Sequence, residues 1–94
     1  MTADEAVGVF LDWLARERAA SPLTVKAYAA DLAGLLAFLT GHIGRPLLVA
    51  DLASLSQADL RAWLAHQAAE GTGNATRARH LSSVRSFYRY LARG

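Results

Sequence analysis

Apolar side chains recur at the three- and four-residue spacing of an α-helix in four stretches of this chain. Residues that commonly begin or end helices bound each stretch, and no stretch shows the strict alternation of a β-strand. The pattern predicts an all-α fold, a single compact bundle of four main helices that cover about 3–19, 22–39, 57–70 and 75–92.

Short polar side chains that can accept hydrogen bonds from free backbone amides begin the four predicted helices. In chain order these are Thr2 in a capping box with Glu5, Ser21 before Pro22, Ser56 before Asp59, and Asn74. Gly71 supplies a left-handed stop after the third helix. Gly34 lies inside the second helix, where glycine costs about 1 kcal/mol relative to alanine. Either a neighbouring helix crowds that position, or the helix is weaker there.

The connection between the second and third helices, residues 40–55, is predicted to be a packed loop with at most a short extra helical turn. It opens with residues that stop helices, namely Gly41, Gly44 and Pro46. Leucines then recur through the rest of the connection, and we expect them to hold it against the core: Leu47, Leu48, Leu52 and Leu55.

The composition is that of one small domain spanning residues 1–94, because 53% of the 94 residues are hydrophobic and can bury a core. The chain has no cysteine and three histidines, so we expect no disulfide, no structural metal and no cofactor. No apolar run approaches the roughly 18 to 20 residues that cross a bilayer, and the N-terminus lacks the positive start of a secretory signal. These features predict a cytoplasmic protein without a membrane partner.

Charge is distributed unevenly along the chain. Residues 1–70 carry all eight acids and five of the ten cations, whereas residues 71–94 carry five arginines and no acid. This asymmetry is typical of a protein with a polyanionic partner, although a solvated basic face has the same composition.

The fourth predicted helix has two faces. Its apolar face carries Leu81, Val84, Tyr88 and Leu91, while arginines and serines share the other face: Arg79, Ser82, Arg85, Ser86, Arg89 and Arg93. Arginine pairs with phosphate or a guanine edge, and serine is small enough to let a helix approach a groove. The free amides at the start of this helix favour an anion near Thr76, and plain capping is the alternative there.

Two segments in this order resemble a known family. Residues 21–32, SPLTVKAYAADL, match its S-x-x-T-x-x-x-Y-x-x-D-L pattern, and residues 78–91, ARHLSSVRSFYRYL, match its A-R-x-L-S-x-h-R-x-F-Y-x-Y-L pattern, where h is aliphatic. The family is the N-terminal, SAM-like core-binding domain of tyrosine recombinases of the XerC and XerD type and of phage integrases. The likeness extends over essentially the whole chain.

The resemblance implies that the second and fourth helices face the major groove of duplex DNA, and that a following catalytic domain completes a clamp. Combined with the charge pattern, it gives these DNA-binding candidates: Ser21, Thr24, Lys26, Thr76, Arg77, Arg79, Ser82, Ser83, Arg85 and Arg89. Four other matched positions look structural: Tyr28, Leu81, Val84 and Phe87.

No catalytic residue is predicted. The family cuts DNA with a tyrosine nucleophile and a set of basic residues in a C-terminal domain, no part of which is visible in this chain. Core or interface roles are favoured over catalysis for Tyr28, Tyr88 and Tyr90, and packing or surface roles over ligand binding for the tryptophans Trp13 and Trp63 and the histidines His66 and His80. The chain alone is therefore expected not to be an enzyme, although its parent would be a tyrosine recombinase.

The predicted function is duplex DNA binding that positions a separate catalytic domain at a recombination half-site. Other recombinase protomers would be partners of the full-length protein, and no small-molecule substrate is expected. The alternative is a helical protein-interaction module, in which Val9 and Trp13 of the first helix dock onto a partner. The DNA hypothesis requires the arginine and serine side of the last helix to lie beside the beginning of the second helix.

Overall fold

The computed structural model describes residues 1–93, which form five α-helices. These are α1 (Ala3–Arg16), α2 (Pro22–Ile43), α3 (Val49–Ala53), α4 (Gln57–Ala69) and α5 (Asn74–Ala92). The four predicted helices are confirmed as α1, α2, α4 and α5, and α3 is the short extra turn expected in the long connection. The all-α fold is confirmed, since the described residues contain one isolated β-bridge, between Thr2 and Leu48, and no strand.

Three predicted helix ends were wrong. The first helix stops at Arg16 instead of about residue 19, because Ala19 takes a left-handed conformation with φ 49° that a right-handed helix cannot include. The second helix runs on to Ile43, since one more glycine costs only about 1 kcal/mol, and Gly44 then ends it at φ 86°. The fourth predicted helix is capped by Gly73, so Asn74 is its first residue and not its cap.

Gly34 does not interrupt α2, and no neighbouring helix crowds it. Apart from the nearby backbone of α2 itself, a Cβ built at Gly34 would meet no atom within 4 Å, and the position is exposed. The crowding considered from the sequence is therefore wrong.

The core lies where α1, α2 and α5 meet. Its fully buried side chains come from all three helices: Phe10, Leu32, Leu35, Leu39 and Phe87. Each of these helices has buried residues at helical spacing on one side, which explains why α1, α2 and α5 pack together. The C-terminal half of α5 is thereby fixed against α1 and α2.

The longest helix, α2, is long and apolar enough, by length and composition alone, to cross a membrane. This finding corrects the expectation that no segment reaches that limit. In this fold the leucines of α2 instead supply the buried centre of the core, and a carboxylate, Asp31, is buried on the same helix.

An ion pair stabilises the junction between the N-terminus and α3. Arg45 donates from Nη1 to Asp51 Oδ2 at 2.8 Å and from Nη2 to Oδ1 at 2.6 Å, and the amide of Leu48 donates to Asp51 Oδ2 at 2.8 Å. Backbone hydrogen bonds join the same segment to the start of α1, including Ala3 N to Leu47 O at 3.0 Å. The hydrogen bond from Arg45, followed by that from Leu48, lowers the pKa of Asp51 to about 2.

The Asp51 carboxylate should therefore make the free energy of unfolding depend on pH in the acid range. A pKa lowered on folding stabilises the native state above the ordinary value near 3.8, and this stabilisation is lost as the pH falls through about 2. We expect Asp51→Asn to unfold at lower urea than the parent at pH 7, with the difference shrinking towards pH 2. Asp12→Asn, at an exposed position on α1, is the control. A difference that stayed constant from pH 7 to pH 2 would contradict the assignment.

Candidate nucleic-acid interface

The polar side of α5 forms one continuous surface, which we call the arginine face. Its members fall within about 120° around the helix axis: Arg79, Ser82, Arg85, Ser86, Arg89 and Arg93. All are exposed except Ser86, which is half-buried. Val84 and Phe87 on the opposite side are buried, so the predicted division of this helix into two faces is confirmed.

The beginning of α2 lies beside the arginine face. The Tyr28 hydroxyl donates to Ser86 Oγ at 3.4 Å, and Thr24 lines the same cleft as Arg89. The structure thus has the juxtaposition that the DNA hypothesis requires.

The hydroxyl groups at the start of α2 are arranged by helix capping. Ser21 Oγ accepts from the Thr24 amide at 3.2 Å and donates to Thr24 Oγ1 at 2.9 Å. Because Thr24 accepts this bond, its own hydroxyl proton can still be donated to an anion.

One residue of the arginine face is anchored to a buried carboxylate. Arg79 Nη2 donates to Asp31 Oδ1 at 2.9 Å, and Ser83 Oγ donates to Asp31 Oδ2 at 2.7 Å. His80 Nε2 lies 3.4 Å from the same Oδ1. The Asp31 side chain is 2% exposed, whereas that of Arg79 is 58% exposed. The remaining donors of Arg79 can therefore reach a ligand, although the pairing uses part of its guanidinium.

Three candidates lie away from this surface. Ser83 is buried on Asp31, so its predicted position near the DNA surface is wrong. Lys26 is exposed but lies about 160° from Thr24 around α2, which turns it away from the cleft. Arg77 lies about 160° from Arg79 around α5 and donates to Asn74 Oδ1.

The first turn of α5 has no side-chain cap. Gly73 has no side chain to accept from the helix amides, and Asn74 instead accepts from Arg77. The plain capping by Asn74 that was considered from the sequence is therefore absent. Thr76 is exposed in this turn, as its candidate role requires.

Arg18 is a cationic neighbour that sequence reasoning missed. It lies after α1, yet it lines the cleft that also contains Arg89 and Arg93. No local signal could have identified it, because it belongs to the part of the chain whose net charge is negative.

The tyrosines have structural surroundings. Tyr88 donates to the carbonyl oxygen of Leu52 at 2.8 Å, and burial raises its pKa to about 12. Tyr90 packs on Phe10 and Trp13, with ring centroids 5.3 and 5.0 Å away. These contacts match the core and interface roles predicted for the tyrosines.

The histidines pair with polar neighbours. His42 lies 3.1 Å from Asp59, His66 lies 2.6 Å from Glu70, and His80 contacts Gln67. Within residues 1–93, no three side chains of the His, Asp or Glu type come together as a metal site would require.

The sequence of this chain is similar to a family model and to several known proteins. The family model described as "Phage integrase, N-terminal SAM-like domain" matches residues 7–94. A tyrosine recombinase XerC of Rhodospirillum centenum is 50% identical over 91 residues, which are 97% of this chain and 27% of that protein. A XerC of Agrobacterium fabrum is 45% identical over 87% of the chain and 26% of its own length. A XerD of the same organism is 43% identical over 87% of the chain and 23% of its own length. The chain thus spans about a quarter of these relatives. No solved structure matches it.

Proposed function

The chain belongs to the family of phage integrase N-terminal SAM-like domains. We therefore propose that it binds duplex DNA through the arginine face and the beginning of α2. The domain itself does no chemistry on DNA. It positions a catalytic domain, carried by the same full-length protein, at a recombination half-site. Other recombinase protomers are its partners there, and the location is cytoplasmic.

The observation that carries the proposal is the exposed, acid-free arginine face next to the capped start of α2. Four arginines lie on one side of α5, and of these only Arg79 has a carboxylate partner among the described residues, so the surface has a concentrated positive potential. The Thr24 hydroxyl adds a donor beside them. Such a surface neutralises phosphates and releases their counterions, which is the main source of affinity for duplex DNA. The relatives' names, tyrosine recombinase XerC and XerD, support the same role.

A double variant, Arg79→Ala with Arg85→Ala, tests the proposal. We expect the parent to bind a generic duplex with a Kd of about 10⁻⁴ to 10⁻⁶ M, and the variant to bind more weakly. The slope of log Kd against log salt should fall by about 1 for each arginine that held a phosphate. Fluorescence anisotropy of a labelled duplex at several salt concentrations measures both quantities.

The matched control is Arg16→Ala with Arg61→Ala, which removes the same charge from exposed positions on α1 and α4. Equal affinity and slope in the two double variants would show that the arginine face is not the binding surface. Circular dichroism melting should show that both variants stay folded.

The alternative, a protein-interaction module, has less support from the structure. Val9 is 47% exposed, but Trp13 is half-buried against Phe10 and Tyr90 and carries two arginines on its ring. The apolar patch on α1 is correspondingly small. Self-association without DNA, seen by sedimentation, would nevertheless favour that function.

A further inference from the structure

Two arginines from opposite ends of the chain share one tryptophan. The guanidinium carbon of Arg18 lies 5.7 Å from the centroid of Trp13, and that of Arg93 lies 4.8 Å from it. Both distances are within the range of a cation–π interaction. Trp13 itself is fixed by contacts with the rings of Phe10 at 6.2 Å and Tyr90 at 5.0 Å.

These side chains form one end of an open cleft of about 680 Å³. Arg89 and Thr24 also line it, so the cleft is continuous with the arginine face and the start of α2. Of the described residues that line the cleft, none carries a carboxylate. The ion pairs formed within residues 1–93 involve other cations and include neither Arg18 nor Arg93.

The arrangement is suited to an anion. Cations held close together without a carboxylate repel one another, and an anion in the cleft would relieve that repulsion. Guanidinium groups match the oxygens of a phosphate with paired N–H donors. A nucleobase fits less well, because the guanidinium groups already cover the tryptophan ring on which a base would stack.

We propose that Arg18 and Arg93, held on Trp13, bind a single backbone phosphate of duplex DNA. This inference rests on the proposed DNA-binding function and extends the contact surface from α5 across to the end of α1. It makes Arg18 a DNA contact and Trp13 a positioning residue.

The test is a double variant, Arg18→Ala with Arg93→Ala, titrated with a generic duplex at several salt concentrations. One lost phosphate contact should reduce the slope of log Kd against log salt by about 0.9. The control is again Arg16→Ala with Arg61→Ala, which should leave the slope unchanged. A second measurement compares the single variants Arg18→Ala and Arg93→Ala with the double variant. If both arginines bind one phosphate, their losses of binding free energy should be non-additive.

The possible failures are distinguishable. If the parent shows no salt-dependent binding to the duplex, the proposed function itself is wrong. If the parent and the Arg79 and Arg85 variant behave as expected, but the Arg18 and Arg93 variant keeps the slope of its control, this phosphate site is wrong.

Trp13→Phe adds a further check. It keeps an aromatic ring but weakens the cation–π contact, so it should weaken duplex binding in the parent and have no effect once both arginines are removed.

Discussion

Replacing Phe10 by alanine is expected to destabilise the domain by about 3 to 5 kcal/mol. Phe10 is 0% exposed, and its ring lies 5.3 to 6.2 Å from the rings of Trp13, Tyr28, Phe87 and Tyr90. The substitution removes a fully buried side chain and leaves a cavity that three helices must close. Small domains are stable by only about 5 to 15 kcal/mol, so the variant should unfold at a clearly lower urea concentration than the parent.

Urea unfolding followed by circular dichroism measures the loss for Phe10→Ala. Val9→Ala is the matched control, since it shortens the preceding side chain of α1, which is 47% exposed. That change should stay within about 0.5 kcal/mol of the parent. Equal losses for the two variants would show that Phe10 is not the centre of the core. Because Trp13 and Tyr90 pack on Phe10, Phe10→Ala should also weaken duplex binding.

The helices could be predicted from the sequence because their signals are local. Spacing of apolar residues and capping boxes act within a few residues, and they located four helices of the bundle. The ends were less predictable, because they depend on small energies. Continuing α2 through Gly41 costs about 1 kcal/mol, and the packing of Leu39 and Ile43 on the core outweighs that cost.

The candidate site could be predicted only in part, because its details depend on contacts between distant residues. The arginine face follows from helical geometry alone, and it was predicted correctly. The burial of Ser83 does not follow from that geometry, since its partner, Asp31, lies 52 residues earlier in the sequence. The pairing of Arg18 and Arg93 on Trp13 likewise requires the packing of α1 against α5.

Asp31 is the polar centre of the interface between α2 and α5. Its carboxylate accepts hydrogen bonds from Arg79 and Ser83, and His80 lies close to it. A buried carboxylate is tolerated when its oxygens are satisfied in this way. The same bonds hold the guanidinium of Arg79 at the edge of the arginine face.

Asp31→Ala should therefore destabilise the domain by about 1 to 3 kcal/mol, because it leaves the buried Ser83 hydroxyl without its acceptor. Asp12→Ala on the exposed side of α1 should cost less than about 0.5 kcal/mol.

A double-mutant cycle of Asp31→Ala with Ser83→Ala, measured by urea unfolding, should give an interaction energy above about 0.5 kcal/mol. The same cycle with Arg79→Ala should give a smaller energy, since more than half of the Arg79 side chain is exposed and solvent screens its pairing. Additive losses in the Ser83 cycle would mean that the hydrogen bond between Ser83 and the carboxylate does not stabilise this interface.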